Sequence, residues 1–248
     1  MSVLPLHDNL ASYKVLKETL FDLPMKLLVI GRSELSGKST LICNLLLRPF
    51  DETDIDGKLF YRGDFKGENI YIVNPSIHLD TKFQMLISSK RVPEANIYSE
   101  YNEDELLALY ERLSRQYDRE LAEGFVSQKL IVLDDCAHSG DLKSKTYGFL
   151  TRVACNGRHL GISLIVTSQK YSAISPLIRE NATGVILYEC SGKQLDLVAE
   201  DHAIQPKREF EKMFREATRE KHSFMAINYS NDVTQRFLNS NFSLISQK

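Results

Sequence analysis

No stretch of this 248-residue chain approaches the ~20 apolar residues that a membrane-crossing helix needs, and its start, MSVLPLHDNLASYK, has neither the basic nor the apolar region of a secretory signal. The sequence reads as a soluble, intracellular protein without a transmembrane segment. Net charge is nearly absent too, because 31 Lys and Arg stand against 33 Asp and Glu. That balance excludes a protein that coats nucleic acid with its whole surface, and leaves such contacts to local basic loops. Cysteine is scarce and scattered. Cys43, Cys136, Cys155 and Cys190 form no C-x-x-C pair, and three of them lie in or beside apolar runs, so they read as buried thiols rather than zinc ligands or disulfides. Internal repeats and low-complexity tracts are missing.

What is present is a 43% hydrophobic content, enough to bury one sizeable core, which predicts a single domain over residues 1–248. Short β-type runs fall at 26–30, 69–73, 129–133, 163–167, 184–188 and 224–228. Most are continuously apolar, as strands covered on both faces of a parallel sheet are. Helical patterns at 39–47, 103–123, 146–155, 192–200 and 207–220 alternate with them. The alternation predicts an α/β fold: a mostly parallel central sheet with right-handed crossovers and helices on both faces. The stretch 51–67, rich in Asp, Gly and Lys, reads as a flexible insertion, and the polar tail after Tyr229 as unanchored.

Between the first strand and the first helix stands GRSELSGKST, residues 31–40. Its end, Gly37-Lys38-Ser39-Thr40, is that of a phosphate-binding loop. Gly31 lies six positions before Gly37, one more than the pattern G-x-x-x-x-G-K-[ST] allows. The extra residue is absorbed either by Arg32 taking the leading glycine's place or by a bulge at Glu34-Leu35, with the Glu34 carboxylate turned outward. A loop running into a helix offers inward N–H groups and the positive end of the helix dipole to a phosphate chain. Ser36, Gly37, Lys38, Ser39 and Thr40 form the candidate nucleotide site: Gly37 admits the phosphates, Lys38 reaches the β- and γ-oxygens, and Ser39 ligates Mg²⁺. A plain helix cap by Ser36 or Ser39 leaves Lys38 unexplained.

Two later strands end in groups that fit the same chemistry. Lys129-Leu130-Ile131-Val132-Leu133-Asp134-Asp135 closes on two carboxylates. Phosphoryl transfer needs one carboxylate for the metal shell and another group to orient the attacking water, so Asp134 suits the metal and Asp135 the water. The strand Ser163-Leu164-Ile165-Val166-Thr167-Ser168-Gln169 would set Gln169 beside the γ-phosphate as a sensor.

With these segments in order, the chain resembles the genome-packaging ATPases of the poxvirus type, found in large cytoplasmic DNA viruses and virophages within the FtsK/HerA superfamily. The resemblance runs from about Leu23 to Tyr229. Its most specific parts are Asn156-Gly157-Arg158-His159-Leu160-Gly161-Ile162-Ser163, then Thr167-Ser168-Gln169, then Ile178-Arg179-Glu180-Asn181, with a further echo in Ile70-Tyr71-Ile72-Val73-Asn74-Pro75-Ser76. The family implies a RecA-like P-loop NTPase fold, ATP and Mg²⁺ as cofactors, and a homo-oligomeric ring that pulls double-stranded DNA into a preformed capsid. It also implies work at the viral assembly site in the host cytoplasm, with capsid or virion membrane proteins as further partners. By the same resemblance Arg158 is the first choice, and Arg179 the alternate, for an arginine supplied to a neighbour's site. Asp at 135, where the family's ring ATPases carry Glu, and the lengthened loop are the departures. Lys143, Lys145, Arg62 and Lys66 are candidates for DNA contact. Two other classes use a phosphate loop: a small-molecule kinase, against which stands the lack of an arginine-rich lid at 118–129, and a module that binds nucleotide without hydrolysing it.

Overall fold

The computed structural model describes residues 20–32, 36–47, 60–136 and 147–245. Among them eight strands form one sheet: β1 (Lys26–Ile30), β2 (Ile70–Val73), β3 (Ile97–Tyr98), β4 (Lys129–Leu133), β5 (Ile162–Ser168), β6 (Gly184–Tyr188), β7 (Phe224–Asn228) and β8 (Phe237–Leu238). Their order across the sheet is β3-β2-β4-β5-β1-β6-β7-β8. The first six run parallel, and β7 and β8 each pair antiparallel with the strand before them. The expected α/β architecture is borne out.

Continuous apolar runs suit these strands because both faces are covered. Leu27 and Val29 of β1 join one core with helices α1 (Lys38–Leu47) and α2 (Thr81–Lys90). Leu28 and Ile30, pointing the other way, join a second core with α3 (Glu103–Ala122), α4 (Phe149–Asn156), α5 (Pro176–Glu180), α6 (Gly192–His202) and α7 (Lys207–Ala217). The period-two alternation of side chains divides one apolar string between two layers.

Helix α3 shows how sequence sets an element. Asn102 caps it by accepting from the N–H groups of Asp104 (3.1 Å) and Glu105 (3.2 Å), and three acids fill the first turn where the dipole favours them. Leu106, Leu109, Tyr110, Leu113 and Tyr117 then bury one face at helical spacing. Its last turn carries Glu120, which accepts from Lys129 Nζ (2.8 Å), Ser127 N (2.9 Å), Ser127 Oγ (2.6 Å) and Gln116 Nε2 (2.7 Å). This network anchors the start of β4.

Several expectations are corrected. Helix α2, set by an Asp80 cap that accepts from Lys82 N (2.9 Å) and Phe83 N (3.3 Å), was hidden by its weak amphipathicity. Strands β3 and β8 are two residues long, too short for a pattern. Residues 60–67 of the expected insertion are packed: Tyr61 is fully buried, accepting from Phe21 N (2.6 Å) and donating to Phe21 O (2.7 Å). Residues 51–59 lie outside the described ones. The tail is anchored through residue 245, because Phe237, Leu238 and Phe242 are buried and Phe237 packs edge-on against Phe210. Single apolar residues among polar ones carry that docking. Cys43 and Cys136 are buried and Cys190 is half-buried, whereas Cys155 is exposed.

Lys129 has a fully buried side chain and Glu120 one that is 9% exposed, so removing one partner strands the other's charge. Lys129→Met should destabilise the protein by ~3–5 kcal/mol in urea unfolding. Although burial pushes the Glu120 carboxyl up, its hydrogen bonds from Lys129, Ser127 and Gln116 outweigh that and bring it down to about 2. The pair's stabilisation should hold above about pH 4.5, the ordinary carboxyl value, and fade as pH falls toward 2 in wild type but not in Lys129→Met.

Candidate functional site

Gly31 follows β1 and donates its N–H to Ser168 O (3.0 Å), so the loop starts already stitched to the end of β5. A Cβ on Gly31 would lie 2.6 Å from Ser36 Cβ and 2.9 Å from Tyr188 Cβ, which no side chain tolerates. Gly31 is therefore the glycine that the loop's closure requires, whatever residue the extra length adds. The alternative bulge at Glu34-Leu35 falls outside the described residues. At the other end Gly37 has φ +87°, a left-handed conformation that favours glycine, and α1 begins at the next residue.

Lys38 is buried, and its ammonium donates to Gly31 O (2.8 Å). Burial pulls its pKa down, while the carboxylates of Asp135 and Asp134 push it up; burial prevails. Ser36, also buried, donates to Arg32 O (2.7 Å); Ser39 is half-buried and Thr40 exposed.

Asp134 and Asp135 follow β4 directly and approach Lys38 from the neighbouring strand ends. Asp134 is 5% exposed, and its two oxygens accept from Thr167 Oγ (2.8 Å) and Asn74 Nδ2 (3.1 Å). Burial pushes its carboxyl up to about 6; the nearby charges of Asp135 and Asp80 add to this, and Thr167 and Lys38 oppose it. Asp135 has φ +52°, which Asp tolerates better than most residues, and this turns its N–H onto Thr167 Oγ (3.0 Å). Its Oδ1 accepts from Gln169 Nε2 at 3.1 Å. One hydroxyl, Thr167, thus holds both acids, and the Gln169 side chain holds the second.

Lys38, Asp134, Asp135 and Gln169 are brought together; Arg158 and Arg179 are not part of the group. Arg158 is exposed in a short 3₁₀ turn before β5, and Gln169 follows the strand's far end. Seven residues of strand separate them by roughly 20 Å at ~3.3 Å per residue. Arg179 is turned inward. Its Nη1 lies 3.0 Å from Asp201 Oδ2, a charge pairing without a well-aligned hydrogen bond, and its guanidinium sits 4.7 Å over the Tyr171 ring.

Tyr171 belongs to a hydrogen-bond chain just beyond Gln169, buried at Tyr171 and His202. Its hydroxyl donates to Asp201 Oδ2 (2.8 Å) and lies 2.6 Å from His202 Nε2, while His202 Nδ1 pairs with the Tyr229 hydroxyl. A phenol has one proton to give, so His202 Nε2 carries the proton it donates to Tyr171, and Nδ1 accepts from Tyr229. Burial lowers the His202 pKa to about 4, with Arg179 aiding and Asp201 opposing, in keeping with a neutral ring.

The site also contains groups that pattern reading passed over. Asn74 and Thr167 are buried partners of Asp134, and both stand one residue past or inside an apolar strand, where a polar residue is the only signal. Of the DNA candidates, Arg62 and Lys66 line a cleft of about 410 Å³ with Lys90 near the start of β2, away from the acidic pair. Lys143 and Lys145 lie outside the described residues. No helix among the described residues is long and apolar enough to cross a membrane.

Mg²⁺ and a nucleotide fit the residues present. Hydroxyl and carboxylate oxygens are hard donors, a glycine with φ +87° opens the loop's helix end, and a buried lysine faces it. Among the described residues no three His, Cys, Asp or Glu side chains converge as a metal site, and Mg²⁺ carried on phosphates needs only one or two protein ligands.

The family model of the Poxvirus A32 protein matches residues 58–237. No curated protein matches the chain. Among solved structures, the genome packaging NTPase B204 from Sulfolobus turreted icosahedral virus 2 in complex with AMP is similar in fold, with TM-score 0.56, 16% identity, and coverage of 84% of this chain and 94% of that one. The same NTPase in complex with AMPPCP gives TM-score 0.55 at 16% identity over 84% and 94% of the two chains. EssC (ATPases 2 and 3) from Geobacillus thermodenitrificans gives TM-score 0.50 at 16% identity, over 70% of this chain and 34% of that one. The shared fold is that of P-loop NTPases.

The raised Asp134 carboxyl has a measurable consequence in protein free of nucleotide and metal. Its folded value of about 6 lies above the ordinary 3.8, so the folded state holds an extra proton between them and stability declines as pH rises through 6. Asp134→Asn removes this dependence. Relative to wild type it should gain on the order of 2 kcal/mol between pH 4 and pH 8 in urea unfolding. A gap that does not change with pH would show Asp134 to be well solvated.

Proposed function

The chain belongs to the Poxvirus A32 protein family, and on that premise we propose that it is a single P-loop ATPase domain. In this reading it assembles head to tail into a ring and drives double-stranded viral DNA into a preformed capsid. One observation carries the catalytic part: a buried lysine, two carboxylates and a glutamine from three adjacent strand ends share one hydrogen-bonded and electrostatic neighbourhood. That is the donor set phosphoryl transfer requires, in the crevice beyond the carboxyl ends of parallel strands where α/β folds bind ligands.

Lys38 exchanges its main-chain partner, Gly31 O, for phosphate oxygens, and its charge offsets theirs. Asp134, fixed by Thr167 and Asn74, would hold the metal shell together with Ser39. Mg²⁺, when bound, would neutralise charge that develops on the phosphates. Asp135 accepts a hydrogen bond from the attacking water, and Gln169, itself tied to Asp135, reports and fixes its position. Asp135 is shorter than the Glu found at this place in related ring ATPases, and its left-handed backbone reorients the side chain.

Arg158 is too distant to serve its own site, so its catalytic place is a neighbour's. The face bearing the β5 start then meets the next subunit's strand-end face, a heterologous contact of the kind that closes rings. DNA contact through exposed cations, Arg62 and Lys66 among them, would make binding salt-dependent. The mixed character of the surface accords with a few contacts per subunit.

Hydrolysis should depend on these residues in distinct ways. Lys38→Ala should weaken nucleotide binding or turnover by ~1.5–3 kcal/mol, and Asp135→Asn should retain bound ATP while phosphate release stops. Phosphate release per subunit from wild type should rise steeply with protein concentration or with added duplex DNA. A phosphate-release rate indifferent to Lys38→Ala would remove the site. Arg158→Ala subunits keep a complete Lys38 site, and Lys38→Ala subunits keep Arg158. Mixing the two should restore activity above either alone, since a trans arginine is worth ~10³–10⁵ in rate. Full activity in Arg158→Ala alone would exclude the residue.

A further inference from the structure

Helix α7 divides into two opposed faces. Phe210, Met213 and Phe214 are buried in the second core, with Phe210 edge-on to Phe237. On the opposite side Arg208, Lys212 and Arg215 are all exposed and stand at i, i+4 and i+7, so at 3.6 residues per turn they form one row. Arg219, just past the helix end, continues the row, since the same shallow groove of about 350 Å³ is lined by all four cations. Glu211 and Glu216 complete the lining and flank the row on either side, roughly 60–80° around the helix from Arg208. Lys212 Nζ lies 4.0 Å from Glu216 Oε1, an exposed pair that is worth little. Arg208 with Lys212, and Lys212 with Arg215, are like-charged neighbours at i,i+4 and i,i+3, which disfavours the helix when nothing anionic lies across them. A chain with almost no net charge thus sets four cations in line on one surface.

The partner that such a row fits is a stiff polyanion. Arg208 to Arg215 spans roughly 10 Å at 1.5 Å per residue, and one strand of duplex DNA presents a phosphate every ~3.4 Å along its axis, so the row can lie against about three successive phosphates. The groove has no aromatic ring in its lining, whereas single-strand sites rely on such rings to stack bases. A membrane surface fits less well, because the apolar face that would insert is already in the core. We propose that the α7 row is the surface on which this chain holds the phosphate backbone of duplex DNA, without reading its sequence. This rests on the reading of the chain as one that handles duplex DNA, and it gives that reading a surface separate from the cleft of Arg62 and Lys66.

The position of α7 ties this contact to the phosphate loop. Thr218 closes the helix, its hydroxyl donating to Phe214 O (2.9 Å). The turn that follows passes against the loop: Arg219 and His222 share a cleft with Arg32 and Ser36, and a Cβ on Gly37 would lie 3.8 Å from His222 Nδ1. Load taken up by the row therefore reaches the loop through one short, packed turn.

Binding of a fluorescent-labelled duplex is measured by anisotropy across a salt series for wild type, the double variant Lys212→Gln with Arg215→Gln, and the double variant Glu211→Gln with Glu216→Gln. Glutamine keeps helix propensity and length, so charge is what changes. The first variant should weaken binding about tenfold or more near 0.1 M salt and make the slope of log K against log salt shallower by about 1.8, the loss of two phosphate contacts. The second should tighten binding about twofold, an opposite sign that damage to the fold cannot produce. Salt-dependent duplex binding by wild type that neither variant alters would overturn the row's assignment and leave the reading of the chain intact. Tighter binding of wild type to vesicles of anionic phospholipid than to the duplex would also overturn the assignment. Wild type that does not bind duplex DNA at all would overturn both.

Discussion

The hydroxyl of Thr167 is the point on which the strand ends depend. It donates to the Asp134 carboxylate and accepts from the N–H of Asp135, so a single buried oxygen fixes one carboxylate and the backbone of the acid beside it. Strand β5 lies between β4 and β1, so its end can reach the acids on one side and the phosphate loop on the other. One residue further on, Ser168 O takes the N–H of Gly31, and two residues on, Gln169 reaches Asp135. The sheet order brings the loop, the acids and the sensor together without a long connection. Buried polar groups must be paired, and here the same bonds set the two acids and Gln169 relative to one another.

The two ends of the parallel strands carry different kinds of charge. At the starts of the strands, Lys129 and Glu120 neutralise each other in a fully hydrogen-bonded network, and Lys26 gives its ammonium to Ala154 O (2.8 Å). Those charges fix helices to the sheet. At the strand ends the balance is unfavourable: one lysine with a depressed pKa faces two acids, one of them with a carboxyl pushed up to about 6. Burial without full compensation costs stability and leaves groups ready to respond to an added anion and cation. The contrast separates a charge-compensated end from an uncompensated one on the same strands.

Much of this was legible in the sequence, and the reasons are specific. Mostly apolar strings flanked by glycine or carboxylates identified β1, β4 and β6, and the run at 224–227 identified β7, since double-sided burial leaves no room for polar alternation. The loop's lysine and the acids after β4 were visible as residue types in a required order. What escaped was set by tertiary contact. The antiparallel β8 rests on Phe237 and Leu238 alone, and α2 on a cap at Asp80 and buried Phe83 and Leu86, signals too weak to outweigh polar surroundings. Thr167 and Asn74 could be read only as polar intrusions at strand ends, because their partner, Asp134, is 33 and 60 residues away.

The two arginines show why a motif does not fix a role. Both lie in segments that resemble the same family, yet their surroundings differ in kind. Arg179 has a 9% exposed side chain, a paired acid and an aromatic ring beneath it, so moving it outward would break the charge pairing with Asp201 and uncover the chain that runs through Tyr171 and His202 to Tyr229. Arg158 is exposed on a turn whose neighbours Gly157 and Gly161 press against backbone and Val side chains, which holds the turn rigid while its side chain faces outward. Arg179 is thus held inward by its surroundings, whereas Arg158 stands on an exposed turn at the end of β5 farthest from the chain's own phosphate loop.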